Sequence, residues 1–81
     1  MEDSIMQVIE NLATLEGEAS IPKNVKGKIR GAIELLRNSE KNIGLRVDQS
    51  LETLGDICDD PNLQPYVRMQ LWSIVSKLES K

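Results

Sequence analysis

Sliding the chain against itself by 42 residues superimposes Glu10 on Glu52, Leu12 on Leu54, Val25 on Val67 and Leu36 on Leu78. The same offset sets Ile9 on Leu51, Leu15 on Ile57, Lys26 on Arg68, Ile29 on Leu71 and Ile33 on Val75. An internal echo of this length restricts the fold to two copies of one supersecondary unit.

Each copy reads as a helical hairpin. Ile5, Val8, Ile9, Leu12 and Leu15 recur at intervals of three and four, the spacing of one face of a helix. Gly17 ends that segment, and Pro22 opens a second with the stripe Val25, Ile29, Ala32, Ile33 and Leu36. After a polar link, Ile43, Val47, Leu51, Leu54 and Ile57 share one side of a third, with Cys58 beside them. Asp60-Pro61 stops it, and Val67, Leu71, Ile74, Val75 and Leu78 form the fourth stripe. The pattern predicts helices over about 4–17, 23–38, 40–58 and 64–79, in a single domain spanning 1–81. A Pro-containing turn and a Val-Lys or Val-Arg pair early in the second helix suit a HEAT-like repeat. Stable repeat stacks usually need three or more units, however, so the expected fold is all-α, a four-helix up-and-down bundle built from two hairpins. A pair of HEAT-like repeats is the alternative.

Three segments, SIPKNVKGKIRGAIELL, LRVDQSLETLGDI and DDPNLQPYVRMQLWSIVSKLES, together resemble an archaeal group known as uncharacterised protein family one-four-seven. The turn Asp60-Pro61-Asn62 followed by Arg68 and Leu71-Trp72 is the most specific part. The resemblance implies a small all-helical cytoplasmic protein and brings no catalytic residue with it. Where this chain has Gly27 and Gly31, the family pattern carries charged residues.

The composition narrows the chemistry. There is no histidine and a single cysteine, so the usual general base and an internal disulfide are both missing. No catalytic residue, cofactor or metal is therefore expected, and the chain is read as a non-enzyme. Glu52, Asp56, Asp59 and Asp60 offer oxygen ligands for a divalent cation, but Glu52 and Asp56 are ordinary neighbours one helical turn apart and Asp60 suits a helix start. Cys58 is expected to be a buried small thiol without a partner base. No run approaches the ~20 apolar residues of a membrane span, and the acidic start is unlike a secretory signal, so a cytoplasmic setting without membrane contact is expected.

Two surfaces stand out. On the helical wheel of the fourth segment, Trp72 lies about 115° and Met69 about 175° from the centre of the apolar stripe. Pro65, Met69 and Trp72 therefore line an outward strip suited to a protein interface, unless Trp72 merely covers the core edge. Gly27 and Gly31 fall opposite the stripe of the second helix, where each costs about 1 kcal/mol against alanine unless something approaches closely. With the outward Leu45 they suggest a homodimer. The chain is thus read as a noncatalytic interaction or scaffold protein that self-associates or docks a partner. The alternative uses the basic run of the second helix: Lys23, Lys26 and Arg30 share a side and would contact phosphates of RNA or the ribosome. No aromatic residue interleaves with them to stack on bases, and the acidic helices on either side are available to pair with them.

Overall fold

The computed structural model describes residues 2–79. These form four helices, α1 (Glu2–Glu16), α2 (Lys23–Arg37), α3 (Ile43–Cys58) and α4 (Pro65–Glu79). The second and fourth are related by the 42-residue offset at both ends.

Local chemistry explains the boundaries. Pro22, at φ −60° and ψ 151°, stands just outside α2, and Pro65 is the first residue of α4; a missing amide hydrogen costs nothing in a first turn. Asn38 ends α2, and its Oδ1 accepts from the amide of Glu40 at 3.1 Å, which turns the chain. Asn42 then caps α3, its side chain accepting from the amide of Leu45 at 2.8 Å. That cap is why α3 begins at Ile43 and not near residue 40. Asp60, expected at a helix start, instead bonds the amide of Asn62 at 2.9 Å and shapes the link before α4.

The helices form a square. α1 packs on α2 and α4, α3 packs on α2 and α4, and the most extensive interface joins α2 to α3. No Cα of α1 comes within 8 Å of α3, nor any of α2 within 8 Å of α4. A pair of stacked HEAT-like repeats would pack those equivalent helices side by side; here they occupy the diagonals of an up-and-down bundle.

One core fills the centre. Val8, Leu12, Ile29, Ala32, Val47, Leu54, Ile57 and Leu71 are wholly shielded from solvent, and Ile9, Ile43, Leu51, Cys58 and Val75 pack against them while half-buried. Three buried residues lie outside the expected stripes: Ile21, Leu63 and Ser50. Ile21 and Leu63, in the first and third links, are 42 residues apart and close the same end of the bundle. Ser50, fully buried, stands where the offset places Val8 and satisfies its hydroxyl by donating to the carbonyl of Arg46 at 2.7 Å.

Arginines tie the C-terminal ends of α2 and α3 to the helix that follows each. Arg46 Nη1 donates to the carbonyl of Leu36 at 2.9 Å, serving the C-terminus of α2. Arg68 does the same for α3, through Nε to the carbonyl of Cys58 at 3.0 Å and Nη2 to that of Asp60 at 2.9 Å. Both place a cation at the negative end of a helix and satisfy carbonyls that the helix leaves unpaired.

Candidate docking surface

The helical register of α4 turns its successive faces towards three neighbourhoods. Val67, Leu71, Ile74 and Leu78 enter the core. Gln70 and Ser73 face α1, where with Asn11, Thr14, Leu15, Glu18 and Ile74 they line a groove of about 240 Å³ of mixed polar and apolar character. At the start of α4, the Tyr66 hydroxyl donates to the Glu18 carboxylate and joins the helix to the first link.

The opposite flank of α4 faces α3. There Trp72, Val75 and Glu79 meet Leu51, Glu52, Gly55, Asp56, Cys58 and Asp59 across a groove of about 430 Å³. Its floor is apolar: Leu51, Cys58 and Val75 are half-buried, and Gly55 contributes no side chain at all. A Cβ built on Gly55 would meet nothing within 4 Å. The lining includes four carboxylates and no cation.

Trp72 is 57% exposed, so its ring does more than cover the core edge. Met69, one turn earlier and 67% exposed, extends the apolar strip outward, and Pro65 is exposed beyond it. These three residues therefore share the outer side of α4, as their spacing predicts. Leu45 is also exposed, at 42%, but lies at the start of α3 and does not line the groove. Gly27 and Gly31 lie on α2, which sits diagonally across the bundle from α4, and each has open space where a Cβ would stand. The two glycines and the tryptophan thus occupy separate surfaces.

On the basic helix, Lys23 is exposed and Lys26 half-buried. Arg30 reaches back to α1, with Nε 2.9 Å and Nη2 2.8 Å from Glu16 Oε2. This pair joins an acidic helix to the basic one, as the acidic segments flanking the basic run suggest.

Cys58 is half-buried on the groove floor and not sealed in the core. Burial raises its thiol above the ordinary range; Arg68 opposes that shift and Asp59 adds to it. The thiol is consequently held protonated and weakly nucleophilic. Among the described residues, no three carboxylate or thiol groups converge as metal ligands, and no helix is long and apolar enough to cross a membrane.

The groove residues were individually ordinary in the sequence. Leu51, Cys58 and Val75 read as core, and Glu52, Asp56 and Asp59, with Asp60, as a weak cation-ligand set in which Glu52 and Asp56 are ordinary neighbours on a helix. Their common feature is position on the side of α3 and α4 just past the core stripe, visible only once the two helices are known to be neighbours.

Comparison with known proteins supports the same architecture. A crystal structure described as that of a protein of unknown function, MMP1188, matches with a TM-score of 0.94 at 29% identity, covering 99% of this chain and 91% of that one. A UPF0147 protein of Methanosarcina mazei is 30% identical over 76 residues, 94% of this chain and 82% of its own length. Another, from Sulfurisphaera tokodaii, is 30% identical over 79 residues, 98% of this chain and 89% of its own length. The family model for Uncharacterised protein family (UPF0147) matches residues 1–80. The chain belongs to this family.

Proposed function

We propose that the protein is a noncatalytic docking module that presents the outer side of α4 and the α3/α4 groove to another protein surface. The observation that carries this reading is Trp72, the chain's one tryptophan, standing 57% exposed beside Met69 at 67%. Contiguous exposed apolar side chains are uncommon on monomers, and tryptophan and methionine are enriched where proteins meet. The surface that docks is a second copy or a different protein. A single cysteine, unable to form an internal disulfide, supports a cytoplasmic setting.

The test is to introduce charge at Met69→Glu and Trp72→Glu together. Both side chains are mostly exposed, so the fold should survive. We expect the double variant to lose either a concentration-dependent rise in solution mass or proteins co-purifying from native lysate. Unchanged mass and unchanged partners would refute the reading.

A second reading has one observation in its favour. The exposed residues of α2 include Lys23, Lys28, Arg30 and Arg37 against Glu34 alone, a cationic excess suited to phosphate, with Arg30 paired to Glu16 in the free protein. RNA binding at low salt that weakens on changing Lys23, Lys26 and Arg30 to Glu would establish it; no binding would remove it.

A further inference from the structure

Resting on the docking role proposed above, we infer that the α3/α4 groove receives a cationic amphipathic helix from a partner protein. Three features of the groove specify that occupant. Its floor, Leu51, Gly55, Cys58 and Val75 with the ring of Trp72 at one side, is a strip between two helices and suits the apolar face of a third. Glu52, Asp56, Asp59 and Glu79 surround that strip with negative charge, and no cation among the lining residues answers them. An occupant with lysines or arginines flanking its apolar stripe satisfies floor and rim together, whereas an anionic lipid surface or a nucleic acid meets like charge.

A second copy does not supply such an element. The basic helix α2 exposes Lys23, Asn24, Gly27, Lys28, Arg30, Glu34 and Arg37, with no apolar side chain larger than hydrogen to fill the floor. α1 exposes Met6 together with Glu10, and α3 exposes Leu45 with Asp48, Glu52 and Asp56. On α4 itself the exposed charges are Lys77 and Glu79, which cancel. Arg68, the remaining cation of α4, is half-buried and engaged with the carbonyls of Cys58 and Asp60, so among the described residues no helix of this chain joins exposed apolar side chains to a net positive exposed charge.

Gly55 provides the decisive variant. Gly55→Leu inserts a side chain into open groove space and improves helix propensity, so it blocks the site without removing a core contact. The probe is a synthetic helix of about 18 residues with leucines on one face and lysines on the other, long enough to lie along both helices. Two controls replace every lysine by glutamine or scramble the order. Binding is read by the emission of Trp72 and by protection of the Cys58 thiol against alkylation.

The expected result is saturable binding of the cationic amphipathic helix alone, with blue-shifted Trp72 and shielded Cys58. Glu52→Gln with Asp56→Gln should weaken it about tenfold at low salt, and Gly55→Leu by at least about as much, while Glu10→Gln with Glu34→Gln should change it by less than about twofold. Equal binding of the glutamine helix would overturn the charge assignment and leave the docking reading standing. Equal binding of the scrambled helix, or equal weakening by the remote pair, would reduce the effect to general attraction and overturn the inference. So would a doubled mass with Cys58 shielded in the absence of peptide, since a second copy would then occupy the groove. If no peptide binds at up to about 1 mM, the inference fails; Met69→Glu with Trp72→Glu then decides whether the docking reading fails with it, by whether captured partners are kept.

Discussion

Arg68 Nε lies 3.0 Å from the carbonyl oxygen of Cys58, joining the first turn of α4 to the last turn of α3. Its Nη2 donates to the carbonyl of Asp60 at 2.9 Å, so one planar fork holds the last carbonyl of α3 and one in the link beyond it. A lysine in the same place is a point charge on a flexible stem and cannot reproduce both bonds. Arg68→Lys should therefore cost about 1–2 kcal/mol and Arg68→Ala about 2–3 kcal/mol in urea unfolding. Equal stability of Arg68→Lys and the parent would show that only the charge matters.

The 42-residue echo predicts matching costs at matching positions. Leu12 and Leu54 are both fully buried, and truncation of either to alanine should cost about 3–5 kcal/mol. A chain of this size has only about 4–12 kcal/mol in total. The equivalent pair Ile9 and Leu51 is half-buried in both copies, so alanine there should cost about half as much. Unfolding curves of the four variants check both statements; two unequal costs within either pair would break the equivalence.

Gly27 and Gly31 each face open space, so alanine at either position meets no atom. Each substitution should stabilise the isolated chain by about 0.5–1 kcal/mol through helix propensity alone. The measurement is the urea midpoint at low protein concentration. Destabilisation would mean that something packs closely on the outer face of α2.

Alkaline pH should weaken the fold through two groups. Burial raises the Cys58 thiol, and the hydrogen bond to Glu18 raises the Tyr66 phenol, with the negative charge of Glu18 adding to it. In both cases the folded state holds its proton longer than the unfolded chain does. These groups therefore leave stability unchanged below the unfolded thiol value of about 8.5, and stability falls as pH rises from there through the tyrosine range near 10. Urea titrations at neutral and alkaline pH measure the decline. Glu18→Gln should return the phenolate absorbance titration of Tyr66 towards its ordinary range, and an unmoved curve would contradict the assignment.

What the sequence made legible was periodic. Apolar spacing located all four helices, and the expected stripe residues are buried or packed against the core. The links were less visible, because Ile21 and Leu63 belong to no helix and are buried only when the bundle end closes over them. Asn42 set the start of α3 by a single side-chain bond that hydrophobic spacing cannot register. The outward course of Met69 followed directly from its angle on the wheel. The groove beside Trp72 did not, since it depends on α3 lying next to α4, a choice that periodicity within one helix leaves open. Arg68 stood out only as part of a Val-Arg pair and a family signature, and neither it nor Arg46 announced that its guanidinium group would reach carbonyls on a neighbouring element.

The central claim is that the outer side of α4 meets another protein, and site-specific photocrosslinking tests it most directly. A photoreactive residue at Met69 should give a discrete crosslinked protein in native cells, whereas the same residue at Lys28, exposed on α2, should not. Crosslinking at Lys28 with none at Met69, or none at either position, would contradict the account.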